Sequence, residues 1–389
     1  MATHLAAVSP GKGQPFEVQP RSTPKPGPGE LLIAVKSVAL NPADTLMRSQ
    51  GLFIPSYPTV IGFDIAGLVL GVGDNVPTGS TDNSPGVFFR PGITRVAAYA
   101  ASFWKSCSPD YGAFQERCLV PWQHAVPLPD DRISWDEAAT LPVAVEVPLN
   151  AWDVMGIPRA GEANSSASAL SASPTTDANE RTRTHTKTEA LLIWGASSSV
   201  GTMGVQTGRL LRDDPGSAFA AVYATAGLAN KDYVSSLGAD RVFDYKDSHV
   251  VDAIVSAAKE DGLVIRHCFL ANGRLAPCQS TLRAFLGVDR EGKIAKIAKI
   301  ASAPVVPPDA EAVEGVQTIF VLPSTAEGER LEQFQYWLGG WLRENLAKGT
   351  IIPSPEPRVV GRGLGAINAG LDLLLQGVSC TKLVVQVTE

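Results

Sequence analysis

Apolar positions in this chain fall into short runs, and the spacing of those runs changes along the sequence. Up to about residue 150 they are strand-length and closely punctuated. Glu30 to Leu40 reads as a strand introduced by the Pro26-Gly27-Pro28-Gly29 turn. Asp64 to Gly71 is a second, leading into Gly73-Asp74-Asn75, and Tyr111 to Val120 a third that stops at Pro121. Short strands with frequent turns predict a small barrel-like domain. Ser134, with Glu137 three residues on, predicts a capped helix start.

From residue 189 to about 321 the pattern alternates. Strands are expected at 189–194, 218–224, 241–244, 263–270, 292–300 and 317–321, with helices between them at 202–211, 230–237 and 248–259. The repeated triplet from Lys293 to Lys299 is taken as one strand with an exposed edge. Such alternation predicts a parallel sheet covered on both faces. Glu327 to Lys348 is amphipathic, with Trp337 and Trp341 on one face; Ala366 to Gln376 is a further helix and Lys382 to Val387 a closing strand. The expected domains are therefore 1–150, 151–325 and a return to the first over 326–389. Glu162 to Lys187 is rich in Ser, Ala, Thr and charge without apolar periodicity, and reads as a disordered surface insertion.

Composition narrows the function. The 389 residues carry a net charge of −6, which argues against nucleic acid or an anionic membrane as partner. Five scattered cysteines without a C-x-x-C fit free thiols. With no signal-like N-terminus and no long apolar run, the expectation is a cytoplasmic protein.

The stretch with most chemical content is Leu191-Leu192-Ile193-Trp194-Gly195-Ala196-Ser197-Ser198-Ser199-Val200-Gly201. A strand ending in small residues before a helix places backbone N–H groups where a pyrophosphate could sit. In the G-x-G-x-x-G spacing counted back from Gly201, Ala196 and Ser198 replace the first two glycines. A dinucleotide turn and an ordinary buried turn both fit.

Several segments together resemble one family. Asn41-Pro42-Ala43-Asp44-Thr45-Leu46-Met47-Arg48, Gly62-Phe63-Asp64-Ile65-Ala66-Gly67, Tyr111-Gly112-Ala113-Phe114-Gln115-Glu116 and Leu237-Gly238-Ala239-Asp240-Arg241-Val242-Phe243-Asp244-Tyr245 are similar, in order, to motifs of medium-chain dehydrogenases/reductases. The nearest likeness is to the quinone-oxidoreductase and trans-acting enoyl-reductase branch, including stand-alone enoyl reductases of fungal polyketide assembly. The resemblance implies an α/β protein: a GroES-like β-barrel domain plus a doubly wound parallel-sheet Rossmann domain, with NADPH in the cleft.

Zinc is not expected. A catalytic site needs three soft or imidazole ligands plus an open position; the Asn41–Asp44 motif has no Cys or His, and Phe63 stands where His is usual. NADPH rather than NADH is expected because Ala224-Thr225-Ala226-Gly227 has no acid for a ribose diol. Thr225, Gly227, Asn230, Lys231 and Tyr245 would hold the 2′-phosphate, Tyr245 by its match to the family's phosphate-contacting tyrosine, and Ser197, Ser198, Ser199, Val200 and Gly201 the pyrophosphate. The resemblance places Ala43, Asp44, Thr45, Leu46 and Val147 by the nicotinamide, and Cys380 and Thr381 on a loop near the cofactor. Leu46 and Val147 stand where the branch often has Lys and Thr. Catalytic candidates are Asn41, near the nicotinamide ribose, and Tyr111, as a carbonyl-polarising group or proton donor. The readings left open are a reductase of enoyl, enone or quinone double bonds acting on a small or carrier-bound substrate as monomer or homodimer; a trans-acting enoyl reductase of a polyketide pathway; and an NADPH-binding protein without turnover.

Overall fold

The computed structural model describes residues 2–79, 87–129, 131–159, 187–287 and 296–387. The insertion at 162–187 and the first half of the 293–299 repeat therefore lie almost wholly outside the described residues. The strands are β1 (Thr3–Val8), β2 (Glu17–Ser22), β3 (Glu30–Ala39), β4 (Asp64–Val72), β5 (Arg95–Tyr99), β6 (Arg117–Pro121), β7 (Ala125–Pro127), β8 (Glu189–Trp194), β9 (Phe219–Ala226), β10 (Arg241–Asp244), β11 (Val264–Leu270), β12 (Ala298–Ser302), β13 (Val316–Phe320), β14 (Pro357–Arg362) and β15 (Lys382–Gln386). The chain divides into two compact units, residues 1–146 with 323–389, and residues 147–322.

The first unit is built on β3. It pairs antiparallel with β15, β4 and β6, in the sheet order β14-β15-β3-β4-β5-β7. Leu31, Ile33, Val35 and Val38 are fully buried along it, and two register shifts against β4 bend the pair. The closing strand β15 thus joins the sheet built on β3. Helix α1 (Pro42–Gln50) follows β3 directly, started by Pro42 at its first position and ended by Gly51 at φ 69°. Helix α2 (Trp135–Ala139) carries the expected capping box: Ser134 N–H donates to Glu137 Oε2 at 2.8 Å, and Ser134 Oγ accepts from Glu137 N–H at 3.2 Å. Helix α3 (Leu141–Met155) comes next.

Two expectations for this unit are corrected. Tyr111 to Val120 is not one strand: Pro109–Tyr111 is a 3₁₀ turn, Gln115 makes a single antiparallel bridge to Ala6, and the continuous ladder begins at Arg117. Gly112 itself is extended, at φ −80° and ψ 147°, and lies against the Val60 backbone, where a Cβ would be 2.2 Å from the carbonyl oxygen. Between Glu327 and Lys348 the helix is interrupted by a π-helical stretch, Gln335–Leu342, that buries Trp337 completely and leaves Trp341 partly exposed.

The second unit is a six-stranded parallel sheet in the order β10-β9-β8-β11-β12-β13. The chain runs outward from β8 to one edge, returns, and continues to the other, which places a topological switch point between β8 and β11. Its inner strands β8 and β9 are almost wholly buried and read as continuous apolar runs, whereas the edge strands β10 and β13 are mostly half-exposed. Of the expected strand at 292–300, residues 292–295 lie outside the described residues; among the described ones the strand runs Ala298–Ser302. Helices α4 (Ser199–Asp213) and α5 (Lys231–Ser236) follow β8 and β9. No helix among the described residues is long and apolar enough to cross a membrane.

Candidate functional site

In the second unit the turn after β8 is shaped by backbone contact. Gly195 sits at φ 80°, and a Cβ there would meet the Asn272 carbonyl oxygen at 2.4 Å. Gly201 starts the close packing of α4, since its Cβ would lie 2.3 Å from the Gly195 carbonyl oxygen. Ser198 is the helix N-cap: its Oγ accepts from Gly201 N–H at 3.2 Å. Ser197, Ser199 and Val200 line the same turn and are partly exposed. The residues present fit a phosphate at the start of a helix, with one of the expected donors, Gly201 N–H, already held by Ser198.

Thr225 is fully buried, and its Oγ1 accepts from Gly195 N–H at 2.9 Å. It braces the turn and does not present a hydroxyl at the surface. The other phosphate candidates do gather. Ala226 and Asp244 are paired at the C-terminal ends of β9 and β10, which brings Gly227 within 3.7 Å (measured to its would-be Cβ) of the Tyr245 ring. Tyr245 is exposed, Lys231 begins α5, and Asn230 N–H donates to the Gly227 carbonyl. Lys246 Nζ, which sequence reasoning missed, lies 5.8 Å from the Tyr245 ring centroid.

In the first unit the register of β3 assembles a buried polar cluster. Ala39 is opposite Val384 of β15 on one side and Asp64 of β4 on the other. Asn41, two residues beyond Ala39, therefore meets Lys382, two residues before Val384, and stands beside Asp64. Lys382 Nζ donates to Asn41 Oδ1 at 2.5 Å and lies 3.1 Å from Asp64 Oδ2; Asn41 Nδ2 donates to Asp64 Oδ2 at 3.0 Å. Asp64 Oδ1 accepts from Val143 N–H at 2.8 Å. Asp44 Oδ2 accepts from Asn41 N–H at 2.7 Å, and its buried Oδ1 makes no hydrogen bond. Burial pushes Asp44 up to about 7, against the downward pull of the Asn41 N–H and the Lys382 ammonium.

Asn41, Asp44 and Thr45 are buried in this region; Thr45 Oγ1 donates to the Pro42 carbonyl at 2.7 Å. Ala43, Leu46 and Val147 are partly exposed. Cys380 takes a left-handed turn at φ 49° and Thr381 Oγ1 donates to the Glu356 carbonyl at 3.1 Å, so the pair shapes the entry of Lys382 into β15. Lys382 was missed because a lysine opening an apolar strand gives no sign of being 3% exposed. Asp64 appeared in the sequence only as the neighbour of an absent histidine.

Tyr111 is not brought to Asn41. Its Oη donates to Glu30 Oε1 at 2.6 Å, at the opposite end of β3. A strand of that length separates the two groups by on the order of 30 Å. Burial and the Glu30 carboxylate raise the phenol further, making it a poorer acid.

These two assemblies, a GroES-like sheet unit and a parallel sheet with a close-packed glycine turn at its switch point, define a class of two-unit oxidoreductase. The chain belongs to the medium-chain dehydrogenase/reductase superfamily, in its enoyl-reductase-like branch, and a nicotinamide cofactor goes with that membership. Residues 27–130 match the alcohol dehydrogenase GroES-like domain. The chain is 39% identical over 385 residues, 98% of each chain, to trans-enoyl reductase tndF of Aspergillus flavipes. It is 40% identical over 329 residues, 84% of this chain and 94% of the relative, to trans-enoyl reductase tazE of Aspergillus terreus. Among solved structures, the CurK enoyl reductase superposes with a TM-score of 0.65 at 16% identity over 99% of both chains, a likeness of fold.

Proposed function

We propose that this protein is an NADPH-dependent, zinc-free enoyl reductase that acts in trans on the carrier-bound enoyl thioester of a polyketide pathway. The observation that carries the zinc-free reading is the Lys382 ammonium. It already occupies the space between Asn41 Oδ1 and Asp64 Oδ2, and Phe63 beside them offers no ligand. A second cation there would face electrostatic repulsion. The choice of NADPH is supported by the absence of an acid at 224–227 and by Tyr245, Lys231 and Lys246 around the ends of β9 and β10. The nearby Asp244 carboxylate accepts from Lys246 N–H at 3.0 Å and is held in its own turn. The enoyl substrate and the trans arrangement are supported by the names of the relatives.

Reduction of an enoyl thioester adds hydride at the β-carbon and a proton at the α-carbon; bound NADPH supplies the hydride. The turn at 195–201 and the Tyr245 cluster would hold its phosphates, and Asn41 would orient its ribose. Tyr111 is tied to Glu30 and remote from Asn41, so we assign the α-proton to water. The test is nucleotide titration of wild type, Lys231→Ala and Tyr245→Phe, with turnover over enoyl thioesters, enones and quinones and with elemental analysis. Wild type should prefer NADPH, each variant should narrow that preference by about tenfold, the worth of one charge-assisted hydrogen bond, and enoyl thioesters should be the best substrates. Equal affinity for NADH and NADPH, or one tightly held zinc per chain, would refute the assignment.

A further inference from the structure

The cluster around Lys382 fixes more than charge balance. An asparagine amide has two faces of opposite character, and a flip exchanges them. Here the neighbours decide. Lys382 can only donate, so the atom 2.5 Å from its Nζ is the amide oxygen. Asp64 is surrounded by donors, Val143 N–H, Asn41 Nδ2 and Lys382 Nζ, so it acts as an acceptor and the atom facing it is the amide nitrogen. A flipped Asn41 would point N–H at an ammonium and oxygen at a carboxylate. All three side chains are within 4% of complete burial, which removes the water that would soften those contacts. The second N–H of Nδ2 turns to the Ala39 carbonyl at 3.4 Å. The hydrogen-bonding capacity that remains lies on Oδ1, which also faces the Asp44 N–H in the capping box of α1, so a further donor there shares the oxygen with that N–H.

We infer that Lys382 is a positioning residue: together with Asp64 it locks Asn41 as a hydrogen-bond acceptor, the polarity needed to hold a ribose hydroxyl of the nicotinamide cofactor and the wrong one for stabilising an enolate oxygen. This rests on the cofactor-orienting role given to Asn41 above. Oxyanion stabilisation, where it occurs, is then left to other groups, and Asn41 acts on the cofactor side of the reaction.

The experiment compares Lys382→Met, Lys382→Met/Asp64→Asn, Asn41→Leu and the triple variant, by thermal melting, by fluorescence titration with NADPH and with NADH, and by kcat and KM. Lys382→Met alone leaves Asp64 buried without its cation and should melt well below wild type. The double variant removes both charges and should recover most of that loss. In it the amide introduced at position 64 offers an N–H where a carboxylate stood, so the Asn41 amide turns over and presents N–H in place of oxygen. Nucleotide affinity should then fall about tenfold despite the recovered melting point, with kcat falling and KM for the enoyl substrate unchanged. Asn41→Leu should lose the same affinity, and adding it to the double variant should cost nothing further.

A double variant that recovers both stability and wild-type affinity shows that Lys382 is merely structural and overturns the inference. So does Asn41→Leu binding nucleotide like wild type, a result that does not depend on any Lys382 variant folding. A wild-type protein that binds nucleotide yet reduces no enoyl thioester would sink the functional reading while leaving these binding comparisons intact.

Discussion

The turn at 195–201 and the cluster around Asn41 present their polar groups in opposite ways. The turn is contiguous, made of small residues, and works through backbone: Gly195 and Gly201 permit close approach, and Ser198 caps the helix. The cluster draws on four separated segments, 41–44, 64, 143 and 382, and works through ionisable side chains excluded from water. A backbone device holds its geometry at any pH. A buried ionic device depends on protonation, on burial and on every partner being present.

That contrast can be broken by titration, and the largest effect is expected at Asp44. Its folded-state value, raised to about 7 by burial, lies above the ordinary carboxylate value. The folded chain therefore holds the proton where the unfolded chain has released it. Stability falls as pH rises from about 4, and the whole cost is present above about 7. Asp44→Asn keeps an acceptor for Asn41 N–H and loses the titration. Its unfolding free energy relative to wild type should rise by about 3 kcal/mol between pH 5 and pH 8 in denaturant melts. A difference independent of pH would show that Asp44 is solvated in solution.

A smaller effect of opposite sign is expected in the same unit. His124 is buried, stacked on Phe334 at 3.9 Å between ring centroids and edge-on to Tyr99. Burial, helped by the Arg330 guanidinium, pushes it down to about 3. This base is held neutral in the fold and protonates first in the unfolded chain. The stability it permits is present above the unfolded value and is lost as pH falls through the window below it. At pH 5 the loss should be about 2 kcal/mol. His124→Phe, which can keep the stack, should flatten that acid slope; an unchanged slope would assign it to other groups.

The smallest effect sharpens the other side of the comparison. Ser198→Ala removes the cap of α4 and should cost about 1 kcal/mol, equally at pH 5 and pH 8. It also releases Gly201 N–H from Ser198 Oγ, so nucleotide affinity should hold or rise slightly. A marked loss of affinity would mean that the Ser198 hydroxyl itself contacts the cofactor.

Local signals in the sequence carried the second unit well. Strand 189–194, the helix expected at 202–211 and found at Ser199–Asp213, and the strand 241–244 were legible because each is one uninterrupted stretch with its own period and punctuation. The strand expected at 292–300 was less legible, because a repeated apolar–basic triplet gives no unique register; among the described residues it runs Ala298–Ser302. The burial of Thr225 was not legible, because a buried hydroxyl and an exposed one look alike in sequence; only the pairing of β9 beside β8 turns it toward Gly195.

By itself, the sequence determined the alternation of strands and helices after residue 189, the small-residue turn, and the lack of Cys and His in the Asn41 and Gly62 motifs. Those properties depend on neighbours along the chain. Tertiary structure alone decided that Lys382, Asn41 and Asp64 meet, that Tyr111 lies at the far end of β3 from them, and that Asp44 is buried enough to keep its proton near neutrality. Each of these depends on strand register and on desolvation. Pairing β15 and β4 on either side of β3 joins residues more than 300 positions apart, with water excluded from between them.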